Sequence, residues 1–427
     1  MEQDTSRKPR PGRPHTIPFP PPALGWSHEV SVLEDLGSDL ALTFWRILRR
    51  VRMWAEAEPE EHDSFSPLDQ TEAVQRLQLA CAFAPELADT FGTFAVLVRT
   101  PRQVQPRKLA EACRLVCDWA QGKSLPQVAM LFAEAAATVD PSHPTWANDA
   151  GQLCRVMGLS ERSLEWFHRG FGLAVQSKSR YEVIYALHRE GLVMSDLGRD
   201  DEARSLLNKA LRRALGDRAR ARAAAIHHDL MLIATRTDTY SDVGAHLLPA
   251  LDYYPSYDPR IPVLVHDWAV SLSEQGTTGV AISLLSQLLP LFSPEKQSVV
   301  YGNLAISLAR AGLRERFEEA VGRAFQQVGT DRSWLPIALS STAEAAGMFG
   351  KWDQAAELAR RGLEAARENR NIWYERHTLT LLDRIARHDL SLVPVQTPDV
   401  DRIEMTERRV VARLQRWKAR GGARLEL

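Results

Sequence analysis

From Trp26 onward, apolar residues recur at three- and four-residue spacing, as at Val30, Leu33, Leu36 and Leu40. That spacing puts them on one face of a helix. Alternating apolar and polar runs of the strand type are almost absent. The helical pattern is interrupted at EAEPEEHDSFSP, TPRQVQPRK, VDPSHP, YYPSYDPRIP, LFSPEK and HDLSLVPVQTPD. All of these breaks are short except the one near residues 57–67. Short breaks between helices of 10–18 residues predict antiparallel neighbours. Residues 1–25 are rich in proline and basic side chains and poor in core formers, which predicts a disordered or extended tail.

The pattern also repeats. Gly158 precedes LSERSLEWFHRGF, Gly198 precedes RDDEARSLLNKAL, and Gly276 precedes TTGVAISLLSQLL. Gly312 with LRERFEEAVGRAF and Gly350 with KWDQAAELARRGL complete the series. Asp238 with TYSDVGAHLLPAL fits between them without the glycine. The turn residues fall at offsets of 40, 40, 38, 36 and 38. Small residues share the register: Ala203, Ala281 and Ala355 early in the helix after the turn, Ala210, Ala250 and Ala324 later in it. Gly151 and Gly191 hold the matching place in the helix before the turn, and Ala129 and Ala136 keep the same phase ahead of Asp140-Pro141. Pro144, Pro262 and Pro336 stand at predicted helix starts, where a missing N–H costs no intrahelical bond.

This arrangement resembles the tetratricopeptide repeat, a helix–turn–helix unit of about 34 residues. The resemblance covers roughly residues 110–370, with the family's aromatic and glycine signature incomplete in every unit. It implies an all-α fold, a right-handed α-solenoid with extra terminal helices. Seven units start near Ala110, Pro144, Ile184, Ala224, Pro262, Ser298 and Pro336. The expected order is a tail (1–25), an N-terminal helical cap (26–109), the array (110–370), a capping helix (371–388), a linker (389–400) and a basic amphipathic helix (401–427).

Charge adds little. Lys and Arg number 53 against 54 Asp and Glu, so only local clusters argue for nucleic acid or a membrane surface. Cys81, Cys113, Cys117 and Cys154 are scattered through helical pattern, which suits a reducing cytosol rather than a disulfide framework. No apolar run has signal-peptide or bilayer length, so the expectation is a cytoplasmic protein, bacterial in style.

Catalytic signatures are missing: no phosphate-cradling glycine loop, no HExxH and no GxSxG. Cys113 and Cys117 lie one helical turn apart without two further ligands, and read as small buried residues at a helix crossing. His227 and His228 are adjacent, so a helix aims them apart. No metal and no cofactor are expected, and the chain reads as a non-enzyme. The stretch 157–171 also looks like the helix-turn-helix of AraC-type regulators, which would put Ser160, Arg162 and Ser163 at bases. The same residues fit the repeat register.

In such arrays, residues at equal offsets in successive first helices stack into rows. Four residues after each start stand Arg114, Asn148, His188, His228, His266, Gly302 and Ser340; eight after stand Asp118, Gln152, Leu192, Leu232, Val270, Ile306 and Glu344. Arg155, Arg236 and Arg310 lie close in register. These rows predict a concave groove that binds a peptide or protein partner, histidines hydrogen bonding to it and aliphatics holding its apolar side chains. An alternative partner is nucleic acid. The last helix carries Arg408, Arg409, Arg413, Arg416, Lys418 and Arg420 around the apolar stripe Ile403, Val410, Leu414 and Trp417. A second basic stretch surrounds Arg46–Arg52. The oligomeric state is not legible.

Overall fold

The computed structural model describes residues 33, 36–65, 70–123, 125–326, 334–369, 371–390 and 400–419. The tail 1–25 and most of the linker lie outside them. The described residues form helices and connecting turns, with no strand. The chain divides into two compact units, residues 1–193 and 194–427.

The first unit opens with α1 (Ser38–Glu56), α2 (Gln70–Phe83) and α3 (Ala88–Arg99). Two hairpins follow: α4 (Pro106–Gly122) with α5 (Pro126–Val139), and α6 (Pro144–Val156) with α7 (Ser160–Gln176). The boundary falls inside α8 (Arg180–Asp196). Phe44 of α1 ties this unit together. Its ring packs edge-on against Phe132 of α5 at 5.2 Å and Trp119 of α4 at 5.7 Å, and stacks near Phe91 of α3.

The second unit begins with α9 (Asp200–Gly216). It continues with the hairpins α10 (Arg220–Arg236) with α11 (Tyr240–Tyr253), α12 (Arg260–Glu274) with α13 (Thr278–Leu288), α14 (Pro294–Arg310) with α15 (Arg314–Gln326), and α16 (Leu335–Met348) with α17 (Trp352–Glu368). Helix α18 (Ile372–Ala386) packs on α16 and α17. The basic helix α19 (Val400–Ala419) lies against α11 and α12. Prolines begin α4, α5, α6 and α14, while Pro262 and Pro336 sit within the first turns of α12 and α16.

The recurring turn has a backbone cause. Gly158, Gly198, Gly276, Gly312 and Gly350 all have φ between 71° and 82°, the left-handed conformation that closes a helix C-terminus. The amide after the glycine donates back to the last helical turn, as Leu159 does to the Cys154 carbonyl at 2.9 Å and Thr277 to Leu272 at 2.9 Å. Asp238 takes the same conformation at φ 53° without a glycine. Lys178 and Arg218 take it in the turns that lead from one hairpin to the next.

Candidate functional site

The crossing points explain the small residues. A Cβ on Gly151 would lie 2.9 Å from the Phe167 ring, one on Gly170 2.1 Å from Asn148 Oδ1, and one on Gly302 3.3 Å from the Ala338 backbone. Ala203, Ala210, Ala250, Ala281, Ala324 and Ala355 are all fully buried or nearly so. Helix pairs crossing on small residues and closed by left-handed turns are the tetratricopeptide geometry. The array is tetratricopeptide-like.

No family model and no curated protein matches the chain. Among solved structures it is similar to a tetratricopeptide repeat protein from Parabacteroides merdae, at 12% identity over 65% of this chain and 98% of that one, TM-score 0.46. It is similar also to the Rap conjugation gene regulator of the plasmid pLS20, in complex with the Phr* peptide, at 12% identity over 80% of this chain and 96% of that one, TM-score 0.46. A third is a Rap protein complexed with Competence and Sporulation Factor, at 9% identity over 83% and 99%, TM-score 0.36.

In the second unit of the tetratricopeptide-like array, the first helices carry three parallel rows. The deepest row is polar. His228 of α10 donates through Nε2 to Asp267 Oδ2 at 2.8 Å, and His266 of α12 donates through Nδ1 to Asp267 Oδ1 at 2.9 Å. The amide of Asn303 on α14 donates to His266 Nε2 at 3.0 Å, and Ser341 of α16 donates to Asn303 Oδ1 at 3.1 Å. Beside it, Ser340 and Thr378 hydrogen bond at 2.8 Å between α16 and α18. Burial opposes ionisation of Asp267, but the hydrogen bonds from His228 and His266 outweigh it and hold the carboxyl well below the usual range.

The histidines therefore differ from their sequence-based placement. His228 and His266 are buried; His228 Nε2 and His266 Nε2 bond to the next first helix and His266 Nδ1 to Asp267 of its own, rather than opening to solvent. The reason is positional: four residues into a first helix is where neighbouring first helices touch, so a polar side chain there must be satisfied by the neighbour. In the first unit His188 is buried at 1% exposure. Asn148 is fully buried and donates to Glu182 Oε2 at 2.6 Å. His227 faces the other way from His228, its Nδ1 3.1 Å from His246 Nδ1 on α11.

The second row is more open. Leu232 is 39% exposed, and Val270, Ile306 and Glu344 are half-buried. Leu192 of α8 and Gln152 of α6, in the first unit, are half-buried too. The third row, one more turn along, is Arg236, Glu274 and Arg310. Arg236 pairs with Asp200 and donates to Ser195 Oγ at 2.8 Å. Arg310 donates to Ser273 Oγ at 3.4 Å and lies 3.8 Å from Glu344, which Arg384 of α18 reaches at 3.9 Å. Glu274 did not emerge from the sequence rows, although it stands four residues after Val270. Burial and the nearby Glu344 and Asp238 outweigh Arg310 and push its carboxyl up to about 7. Arg155, on α6, is half-buried.

The basic C-terminal helix is docked. Val410, Leu414 and Trp417 are buried, and Trp417 Nε1 donates to the Asp258 carbonyl at 3.0 Å. Arg413 donates to the Tyr254 carbonyl at 2.5 Å, Arg409 lies 3.0 Å from Asp252, and Lys418 reaches the Gln287 carbonyl at 3.4 Å. Arg416 turns back to the Ala412 carbonyl at 3.2 Å, and Arg408 lies 3.8 Å from Glu404. Arg420 lies outside the described residues. In the helix-turn-helix look-alike, Ser163 is fully buried and donates to the Gly151 carbonyl at 2.7 Å, while Arg162 is held by Glu134 at 2.5 Å. Those side chains cannot reach bases.

Burial of Cys113 raises its thiol far above the ordinary range, and burial of Cys117 pushes its thiol up to about 12. Among the described residues no group of three or more His, Cys, Asp or Glu is placed to hold a metal, and no helix is long and apolar enough to cross a membrane.

Proposed function

We propose that the first-helix row of the second unit binds an extended segment of a peptide or protein partner, so that the chain acts as an adaptor or regulator rather than a catalyst. The observation that carries this is the row Leu232, Val270 and Ile306. It sets partly exposed aliphatics at one register on successive helices, ending at Glu344 with Arg310 and Arg384. A row of apolar side chains left in water on a rigid scaffold marks an interaction surface. The polar row beneath it is engaged within the chain, so its role in this reading is to fix the spacing of the helices that carry the aliphatics.

That spacing suggests the partner's pattern. Packed helices stand about 8–10 Å apart. A polyproline-like segment advances about 3.1 Å per residue, so a partner crossing the row would offer an apolar side chain at roughly every third position. Selection of a random peptide library on the folded protein tests this. Enrichment of apolar residues at that spacing is expected, with binding lost in a Leu232→Asp, Val270→Asp, Ile306→Asp variant that keeps its helicity. Equal recovery of the same peptides on the triple variant would sink the reading. Binding to mixed-sequence DNA that weakens steeply with salt would favour the nucleic-acid alternative instead, although the docking of α19 engages Arg409, Arg413 and Lys418 within the chain.

A further inference from the structure

The first unit holds a cavity of about 200 Å³ that the partner-binding row does not use. Its walls come from α4, α5 and α6. Arg114, Cys117 and Asp118 enter from α4, Trp146, Asp149 and Gln152 from α6, and α5 supplies only the small Ala133 and Ala136. Arg114 is already spent on Asp118, at 2.6 Å. Asp149 shares that one cation with Asp118 and has no ion pair of its own, and Glu182 of α8 stands behind it, fixed by Asn148 and Thr145. Gln152 Oε1 is shut off from water and accepts no hydrogen bond within the protein. Trp146 Nε1 donates to Asp140 Oδ2 at 3.1 Å, which fixes the plane of its ring in the wall.

An unused acceptor, two carboxyls sharing one cation and an indole in the wall describe the receptor for one kind of group. It must carry several N–H donors and a positive charge. An anion is disfavoured, because Asp118 already neutralises Arg114 and Asp149 and Glu182 remain. We propose that this cavity is a binding site for a primary alkylammonium group, with Asp149 as counter-ion, Gln152 Oε1 as acceptor and Trp146 as the cation–π wall.

Proton linkage follows from the same geometry. Burial, reinforced by Glu182 and Asp118 and opposed by Arg114, pushes the Asp149 carboxyl up to about 7. The thiol of Cys117, also on the wall, stays protonated throughout this range. An ammonium bound beside Asp149 favours its carboxylate, so binding near neutral pH expels a proton. Affinity then falls by about tenfold from pH 8 to pH 6, since each pH unit below the free-state value costs about a factor of ten in the ionised fraction.

The shared chemistry, an alkylammonium, belongs both to a lysine side chain and to a free diamine. Calorimetry on the full chain would use Nα-acetyl-lysine methylamide, cadaverine and acetate, in two buffers of different ionisation heat. Saturable binding of either amine with proton release at pH 7, and none of acetate, is the expected result. Tighter binding of the capped lysine assigns the site to a peptide side chain; tighter binding of cadaverine assigns it to a free amine. Asp149→Asn is nearly isosteric and should weaken binding at pH 8 at least tenfold and abolish proton release. Gln152→Met should weaken it while leaving proton release intact. No saturable binding of either amine at millimolar concentration, preference for acetate, or unchanged binding by the folded Asp149→Asn protein would overturn the assignment. None of these outcomes depends on the peptide reading of the second unit.

Discussion

Asp267 ties two first helices of the second unit together, because two imidazole N–H groups converge on it from successive first helices. Asparagine in its place offers one acceptor where two are needed and turns its own N–H toward a histidine donor. Asp267→Asn should therefore cost about 2 kcal/mol by urea unfolding at pH 7. The sign with pH is set by the depressed carboxyl. Its contribution is complete above the unfolded value of about 4 and is lost as pH falls through the lower folded value. The variant's acid unfolding should lack that part of the slope. Glu274 runs the other way. Its carboxyl is raised to about 7, so the fold favours the neutral acid and loses stability as pH climbs from about 4.5 to 7. Glu274→Gln should be more stable than the parent at pH 8 and near-equal to it at pH 4, read as the difference in melting temperature. Backbone effects are simpler. Gly276 at φ 82° and exposed Lys178 at φ 55° share a left-handed conformation. Gly276→Ala should cost about 1 kcal/mol, and Lys178→Gly should gain up to about 1 kcal/mol.

At the scale of elements, α19 is tied down by one aromatic anchor and a few charges, and the anchor outweighs them. Arg409 and Lys418 are exposed, and surface pairs contribute little. Trp417 is buried and hydrogen bonded, and its truncation to alanine should cost about 3–5 kcal/mol of docking energy. Hydrogen exchange should then show α19 amides exchanging freely while α16 and α17 stay protected. The stripe that docks it, Val410, Leu414 and Trp417, was legible from period alone; what it docks against was not, since Trp417 meets Asp258, 159 positions earlier in the chain. The turns were equally legible where a left-handed residue leaves a glycine signature; among the described residues Lys178, Arg218, Asp238 and His388 take that conformation without one. The histidine row was found by register, but register fixes only which residues share a face. Burial depends on how closely the next helix approaches, and on Asp267, which lies one residue off the row. Glu274 escapes for a related reason: it shares the row of Arg236 and Arg310, but its burial comes from how the neighbouring helices approach, which the sequence does not mark.

At the scale of the whole molecule, a repeat array transmits a perturbation only through neighbouring helices, so its two compact units offer separate readouts. Glu134 makes the sharpest test. It sits buried in the first unit and accepts from Arg162 at 2.5 Å, Trp166 Nε1 at 3.0 Å and Cys154 Sγ at 3.6 Å, joining α5 to α6 and α7. Glu134→Ala takes away the carboxylate to which the Arg162 guanidinium and the Trp166 indole N–H donate, a change worth about 3–5 kcal/mol for a buried pair broken on one side. In a globular domain with one shared core, that loss would lower protection everywhere. In an array of nearest-neighbour interfaces it should fall on α5, α6 and α7, with exchange there quickened by about two to four orders of magnitude. Amides of α14, α16 and α17 should exchange as in the parent. Adding Arg162→Met removes the guanidinium as well and should restore part of the lost protection in the first unit, which separates the cost of the charge left in place from the cost of the missing carboxylate. Uniform loss of protection across both units in Glu134→Ala would mean that the chain unfolds as one cooperative body, and the nearest-neighbour account of its stability would have to be abandoned.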